Sequence, residues 1–137
     1  MNNKYIHERE IWLVDLEPTK GVEIKKVRPC LIMRKFSNSH VIVAPLTSQK
    51  KKSEIFFNLS NISFLKKDSW VCVNQIRTID GSRCIKRSGV LPSYKFKEIQ
   101  KISGEVLKLL PKGAIAQETK RNSLSDQNND PSLIQEE

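Results

Sequence analysis

Arg28 and Thr47 lead a small set of residues whose side chains suit work on an anionic substrate. Arg28 lies in Lys25-Lys26-Val27-Arg28-Pro29, where Pro29 biases it toward an extended backbone at the start of a strand. Its guanidinium is a planar fork of donors that fits two phosphoryl oxygens and would stabilise charge growing on them. The structural alternative is an ion pair from Arg28 to Glu23 or Asp80. Thr47 and Ser48 close Ala44-Pro45-Leu46-Thr47-Ser48 and place two hydroxyls at a strand end. The Thr47 hydroxyl would donate a hydrogen bond or relay a proton; Ser48 would assist or cap the strand. Lys50, Lys51 and Lys52 follow directly as a basic loop, suited to a salt-sensitive, sequence-blind hold on phosphates. Glu17 and Glu23 put two carboxylates on one turn, and Asn74-Gln75-Ile76-Arg77-Thr78-Ile79-Asp80 is a further polar cluster. For Arg77 and Asp80 the alternative to substrate contact is turn stabilisation. His7 and His40 invite an acid–base pair, since imidazole as a class suits proton transfer at neutral pH, but one precedes the first strand and the other falls in a turn, so neither is assigned a catalytic part.

These residues need a frame, and the apolar runs supply it. Ile11-Trp12-Leu13-Val14-Asp15-Leu16 reads as a strand ended by Glu17-Pro18-Thr19-Lys20-Gly21. Runs at 29–33 and 41–44, separated by Ser37-Asn38-Ser39, suit an antiparallel pair. Residues 54–59 and 69–75 are further strand candidates, rich in strand formers. The period then changes. Phe96, Ile99, Ile102, Val106 and Leu109 recur at three- and four-residue steps, which predicts one amphipathic helix with Ser93 as N-cap and Pro111 as stop. Trp12 and Trp70 are expected in the core or a dimer contact. The expected architecture is mainly β with a C-terminal helix, as a small twisted antiparallel sheet or partly closed barrel.

Composition narrows the class. The chain has 137 residues, 38% of them hydrophobic and 28% charged, and a formal net charge of +9. That supports one modest core and excludes collagen-like, disordered and multi-domain chains. No apolar run approaches the roughly 20 residues of a membrane span, and the first ten residues lack the apolar stretch of a signal peptide. Cys30, Cys72 and Cys84 are odd in number and widely spaced, unlike a disulfide framework or a zinc site, and read as buried thiols of a cytoplasmic protein. From Lys112 onward three basic and five acidic residues leave a net −2, so residues 1–111 carry +11 and the two parts sum to the chain's +9. That favours an anionic partner, nucleic acid before acidic protein. Residues 112–137, with six hydrophobic residues and no period, are expected to be a disordered tail whose acidic end has one conceivable role, folding back over a basic groove.

The run from Ile11 to Gly21, then Glu23, Arg28-Pro29, Pro45-Leu46-Thr47-Ser48 and Gln75-Ile76-Arg77-Thr78-Ile79-Asp80, resembles in order and spacing the MazF/PemK family of toxin ribonucleases. The match covers about residues 5–110. It implies an SH3-like β-barrel with a C-terminal helix over residues 1–111, working as a homodimer. It further implies cleavage of single-stranded RNA (mRNA) with no metal or other cofactor, and a cognate antitoxin protein that holds the toxin in check. By resemblance Arg28 and Thr47 occupy the catalytic positions. Glu23 and Gln75 shape the site and hold RNA, and Ser48, Lys50, Lys51 and Arg77 are placed with the RNA-holding residues. The loops at 54–63 and at Lys50–Lys52 are expected to set the cleavage motif. Two departures stand out. Many members have Gly-Asp before the first strand where this chain has Arg9-Glu10; Glu10 keeps the charge, and Arg9 is expected to exclude a glycine-only backbone. Several members have an acid before the glutamine, where Asn74 cannot ionise. The alternative function is a non-catalytic binding protein of the same fold, either an inhibitor of a target such as DNA gyrase or a degenerate member that binds only antitoxin or RNA.

Overall fold

The structure, a computed structural model, describes residues 5–49, 55–109 and 111. The tail at 112–137 and the Lys50, Lys51 and Lys52 loop lie outside the described residues. Seven strands form the sheet: β1 (Glu10–Asp15), β2 (Val27–Ser37), β3 (His40–Thr47), β4 (Phe56–Asn58), β5 (Trp70–Cys72), β6 (Arg77–Ile79) and β7 (Cys84–Val90). One helix, α1 (Ser93–Val106), follows. The strand order is β4-β5-β3-β2-β1-β7, with β6 also on β3, and every pairing is antiparallel.

The expected hairpin is the centre of the sheet. β2 and β3 pair with Cys30 opposite Pro45 and Leu31 opposite Ala44. The far edge of β3 is shared: β6 takes Val41 to Val43 and β5 takes Leu46 and Thr47. The strand expected over 69–75 stops at Cys72, and Val73–Gln75 turn as a short 3-10 helix.

Both faces of the sheet are covered, which is why β1 to β3 read as nearly continuous apolar runs. Trp12, Val14, Cys30, Ile32 and Val43 pack on one side with Ile6 and Cys84. Ile11, Leu31, Ala44 and Leu46 pack on the other, beneath Phe96 and Ile99 of α1. The three cysteines are free and buried, as expected. Barrel closure is not reached: the sheet is open, with β4 and β7 at its ends. The three-residue β4 is too short to span toward β7, and α1 covers the apolar face that closure would otherwise bury.

Two local expectations change. Ser93 is the first helical residue rather than the cap, a position held by Pro92 without a capping side chain. The helix also ends before Pro111. Lys108 turns left-handed (φ 59°), its amide donates to the Glu105 carbonyl at 3.1 Å, and the Leu109 amide donates to Gly104 at 2.9 Å. This Schellman closure satisfies the last carbonyls, so no proline is needed to stop the helix. Arg9 likewise adopts a left-handed backbone, φ 76°, contrary to expectation. Its amide donates to Ile32 at 3.0 Å, its carbonyl accepts from Leu91 at 2.9 Å, and its Nε donates to the Leu91 carbonyl at 3.0 Å. These bonds offset the cost of that conformation for a residue with a β-carbon.

Candidate functional site

Two residues beyond the Cys30–Pro45 pair, on the same two strands, stand Arg28 and Thr47. Both line a single pocket of about 400 Å³ together with Ser48. Pro29, Leu13 of β1 and Leu46 of β3 contribute apolar surface, and Ser88 of β7 lines it as well. A further wall is the segment before β5, through Phe64, Leu65, Lys66, Lys67 and Ser69.

Within the pocket the decisive groups are free to act. Arg28 is half-buried, and its Nε donates to the Lys25 carbonyl at 3.1 Å. Its two terminal nitrogens have no partner among the described residues, which leaves the fork open for an oxyanion. No ion pair joins it to Glu23 or Asp80, the structural alternative. Thr47 Oγ1 accepts from the Gln49 amide at 3.2 Å, so its own proton remains available to donate.

The other expected site residues serve the 16–26 loop that leads into Arg28. Gln75 spends both ends of its amide there, accepting from the Ile24 amide at 2.7 Å and donating to the Val22 carbonyl at 3.1 Å. Arg77 donates to the Leu16 carbonyl at 3.2 Å, and Arg83 to the carbonyls of Asp15, at 3.0 Å, and Glu17. Glu23 accepts from the Lys20 amide at 2.6 Å, within its own turn. Glu17 receives the Lys26 amide at 2.7 Å and Thr19 at 3.2 Å; these bonds hold its carboxyl below the ordinary range. None of Glu23, Gln75 and Arg77 lines the pocket. The structure thus brings together Arg28, Thr47 and Ser48, leaves Glu23 within the 16–26 loop, and sets Gln75 and Arg77 outside that loop as its braces.

The remaining candidates are structural. Asp80 accepts from the Ser82 amide at 2.9 Å, a bond that lowers its carboxyl, and stabilises a turn as the alternative reading had it. His40 lies at the opposite end of β3 from Thr47, with Nδ1 3.3 Å from Ser37 Oγ, and His7 faces Glu10 at 3.5 Å. Asn74 Oδ1 accepts from the Cys72 thiol at 3.0 Å. Both tryptophans are buried. Sequence reasoning missed the wall at 64–69, having stopped the specificity loop at residue 63. The signal was the apolar pair Phe64-Leu65 set directly against the basic pair Lys66-Lys67.

Comparison with known proteins identifies the family to which this fold belongs. A profile of the PemK-like, MazF-like toxins of type II toxin–antitoxin systems matches residues 7–107. A relative from Staphylococcus saprophyticus named endoribonuclease MazF is 33% identical over 98 residues, which are 66% of this chain and 81% of that protein. Among solved structures, MazF from Deinococcus radiodurans superposes with a TM-score of 0.67 at 20% identity, over 77% of this chain and 99% of the other. A mycobacterial endoribonuclease solved with its cognate antitoxin gives 0.63 at 14% identity, over 77% and 98%. At those identities the superpositions speak to the fold. The profile match spans most of the chain, including the pocket's Arg28 and Thr47, and places this protein in the family of PemK-like, MazF-like toxins of type II toxin–antitoxin systems.

Proposed function

We propose that the protein is the endoribonuclease toxin of such a system, a cytoplasmic homodimer that cuts single-stranded RNA without a metal and is restrained by an antitoxin protein. The observation that carries this reading is the pocket in which, among the described residues, no group takes the terminal donors of Arg28 or the hydroxyl proton of Thr47. The relative named an endoribonuclease and the neighbour solved with an antitoxin support it.

In the proposed reaction the ribose 2′-oxygen loses its proton and attacks the adjacent phosphorus. The bond to the 5′-oxygen breaks, the leaving oxygen takes up a proton, and the products are a 2′,3′-cyclic phosphate and a 5′-hydroxyl. Arg28 grips two non-bridging oxygens as their charge grows toward the phosphorane, where fixed donors are worth most. It is not assigned as the base, because an arginine side chain keeps its proton in proteins. Thr47 donates to the same phosphate or passes a proton toward the leaving oxygen. Ser48, at the exposed rim, assists, while Glu23, Gln75 and Arg77 keep the loop before Arg28 in shape. Lys50 and Lys51 add a sequence-blind hold on the backbone.

The test is cleavage of a mixed-sequence RNA with and without EDTA. Cutting that resists EDTA and is lost in both Arg28→Ala and Thr47→Ala supports the reading. Intact RNA after incubation with folded, dimeric protein overturns it and leaves a binding protein of the same fold.

A further inference from the structure

A single peptide unit stands between the Glu17 carboxylate and the Arg28 guanidinium. Its N–H, on Lys26, donates to Glu17 Oε2 at 2.7 Å. Its carbonyl, on Lys25, accepts from Arg28 Nε at 3.1 Å. A trans peptide unit is planar and points its N–H and C=O in opposite directions. Bonds at both ends therefore fix its rotation, and the carboxylate on one side sets where the guanidinium on the other is held. The charge on Glu17 strengthens the first bond, and polarisation of the amide strengthens the second.

Lys26 shows why that grip is needed. Its φ is 69°, in the left-handed region that a residue with a β-carbon enters only at a cost. Flipping the 25–26 unit would carry φ of Lys26 back to the negative side and release the strain. The same flip would turn the Lys25 carbonyl away from Arg28. The following unit would not resist it, since the Lys26 carbonyl is already held in place by the Leu16 amide at 3.1 Å. The Glu17 bond does resist it, and Glu17 is itself tied down. Its amide donates to Asp15 Oδ1 at 3.1 Å, and its carbonyl accepts from Arg83. Its Oε1 accepts from the Thr19 amide and hydroxyl, both at 3.2 Å.

We infer that Glu17 is a positioning residue for Arg28, its carboxylate holding the 25–26 peptide unit so that the Lys25 carbonyl fixes Nε and leaves the two terminal nitrogens for the pocket. The negative charge of Glu17 opposes the approach of RNA, so its benefit lies in the cleavage step and not in binding. The inference rests on the ribonuclease reading for this kinetic consequence, whereas the Arg28 Nε proton reports the geometry by itself.

The test compares the full chain with Glu17→Ala, with Glu17→Ala plus Lys26→Gly, and with Thr19→Ala. Glycine takes either sign of φ without steric cost, so it lets the peptide unit keep its orientation in the absence of the carboxylate. Proton–nitrogen correlation spectra follow the Arg28 Nε proton, identified by its loss in Arg28→Lys. Single-turnover cleavage of mixed-sequence RNA, with protein in excess, separates the limiting rate from the protein concentration at half-saturation. Glu17→Ala should shift the Nε signal and speed its exchange with water. It should also lower the limiting rate by roughly tenfold, while half-saturation stays put or falls. Adding Lys26→Gly should return the signal and bring the rate within about threefold of the parent. Thr19→Ala, which leaves the Lys26 bond to Glu17 in place, should change neither. An unmoved signal in Glu17→Ala, a loss that the glycine does not recover, a loss confined to half-saturation, or an equal effect from Thr19→Ala would overturn the inference. If the parent leaves RNA intact, the ribonuclease reading falls, and the signal with its return in the double variant still decides the positioning.

Discussion

The ring of Phe64 fills the space a β-carbon on Gly89 would need, its nearest ring carbons only 2.6 Å from that position. A strand residue and a loop residue 25 positions apart are thereby made mutually dependent. Gly89→Ala should force the ring out, cost about 1–3 kcal/mol in chemical denaturation and speed hydrogen exchange at the Leu65 amide. Unchanged stability with unchanged exchange would show the contact to be dispensable.

Glu10 is a carboxylate sunk to 3% exposure at the start of β1. Burial pushes its pKa up. Bonds from Trp12 Nε1 at 2.9 Å, the His7 amide at 2.7 Å and Arg87 at 3.1 Å outweigh that and hold it below the ordinary carboxylate range. Its charged form therefore stabilises the fold above the unfolded pKa of about 4.3, and that contribution disappears as pH falls through the lower folded value. Glu10→Gln should cost about 1.5–3 kcal/mol at pH 7, with the gap to the parent narrowing in acid. Denaturation curves at pH 7 and pH 3 decide it, and a gap independent of pH would contradict the assignment.

Arg28→Lys separates charge from shape. Lysine keeps the cation but loses the fork, so cleavage should fall by about 10²–10³ while Tm hardly moves, because among the described residues Arg28 donates a single side-chain hydrogen bond, an exposed one. Activity close to the parent's would show that a point charge suffices.

Gln75→Ala removes both amide bonds to the 16–26 loop without touching the pocket wall. Lys20, Lys25 and Lys26 are exposed in that loop, so trypsin should cut there several times faster than in the parent. Cutting at the parental rate would mean that Arg77, Arg83 and the loop's own Glu17 and Glu23 bonds suffice to hold it.

The strands that carry Arg28 and Thr47 were legible because both of their faces are buried, which writes apolar runs into the sequence. β7 was not legible. Only Cys84 of its seven residues is buried and Ile85 to Ser88 are exposed, so an edge strand held by backbone pairing to β1 leaves no alternation to read. β2 extends to Ser37 rather than Met33 for the same reason, its last residues facing outward. Arg28, Thr47 and Ser48 could be placed together because two strands in register carry them. The bracing bonds of Gln75 were not legible, because they run to backbone groups 51 and 53 residues earlier in the chain. Backbone groups carry no residue identity, so such partners leave no trace in a sequence pattern.

Those long-range fastenings also set an order of events during synthesis. A ribosome delivers Arg28 early, but the loop before it gains its outside supports only when Gln75, Arg77 and Arg83 have emerged. A nascent chain shorter than about half the protein therefore carries its key arginine on an unbraced loop, and the site is assembled only as translation nears the closing helix.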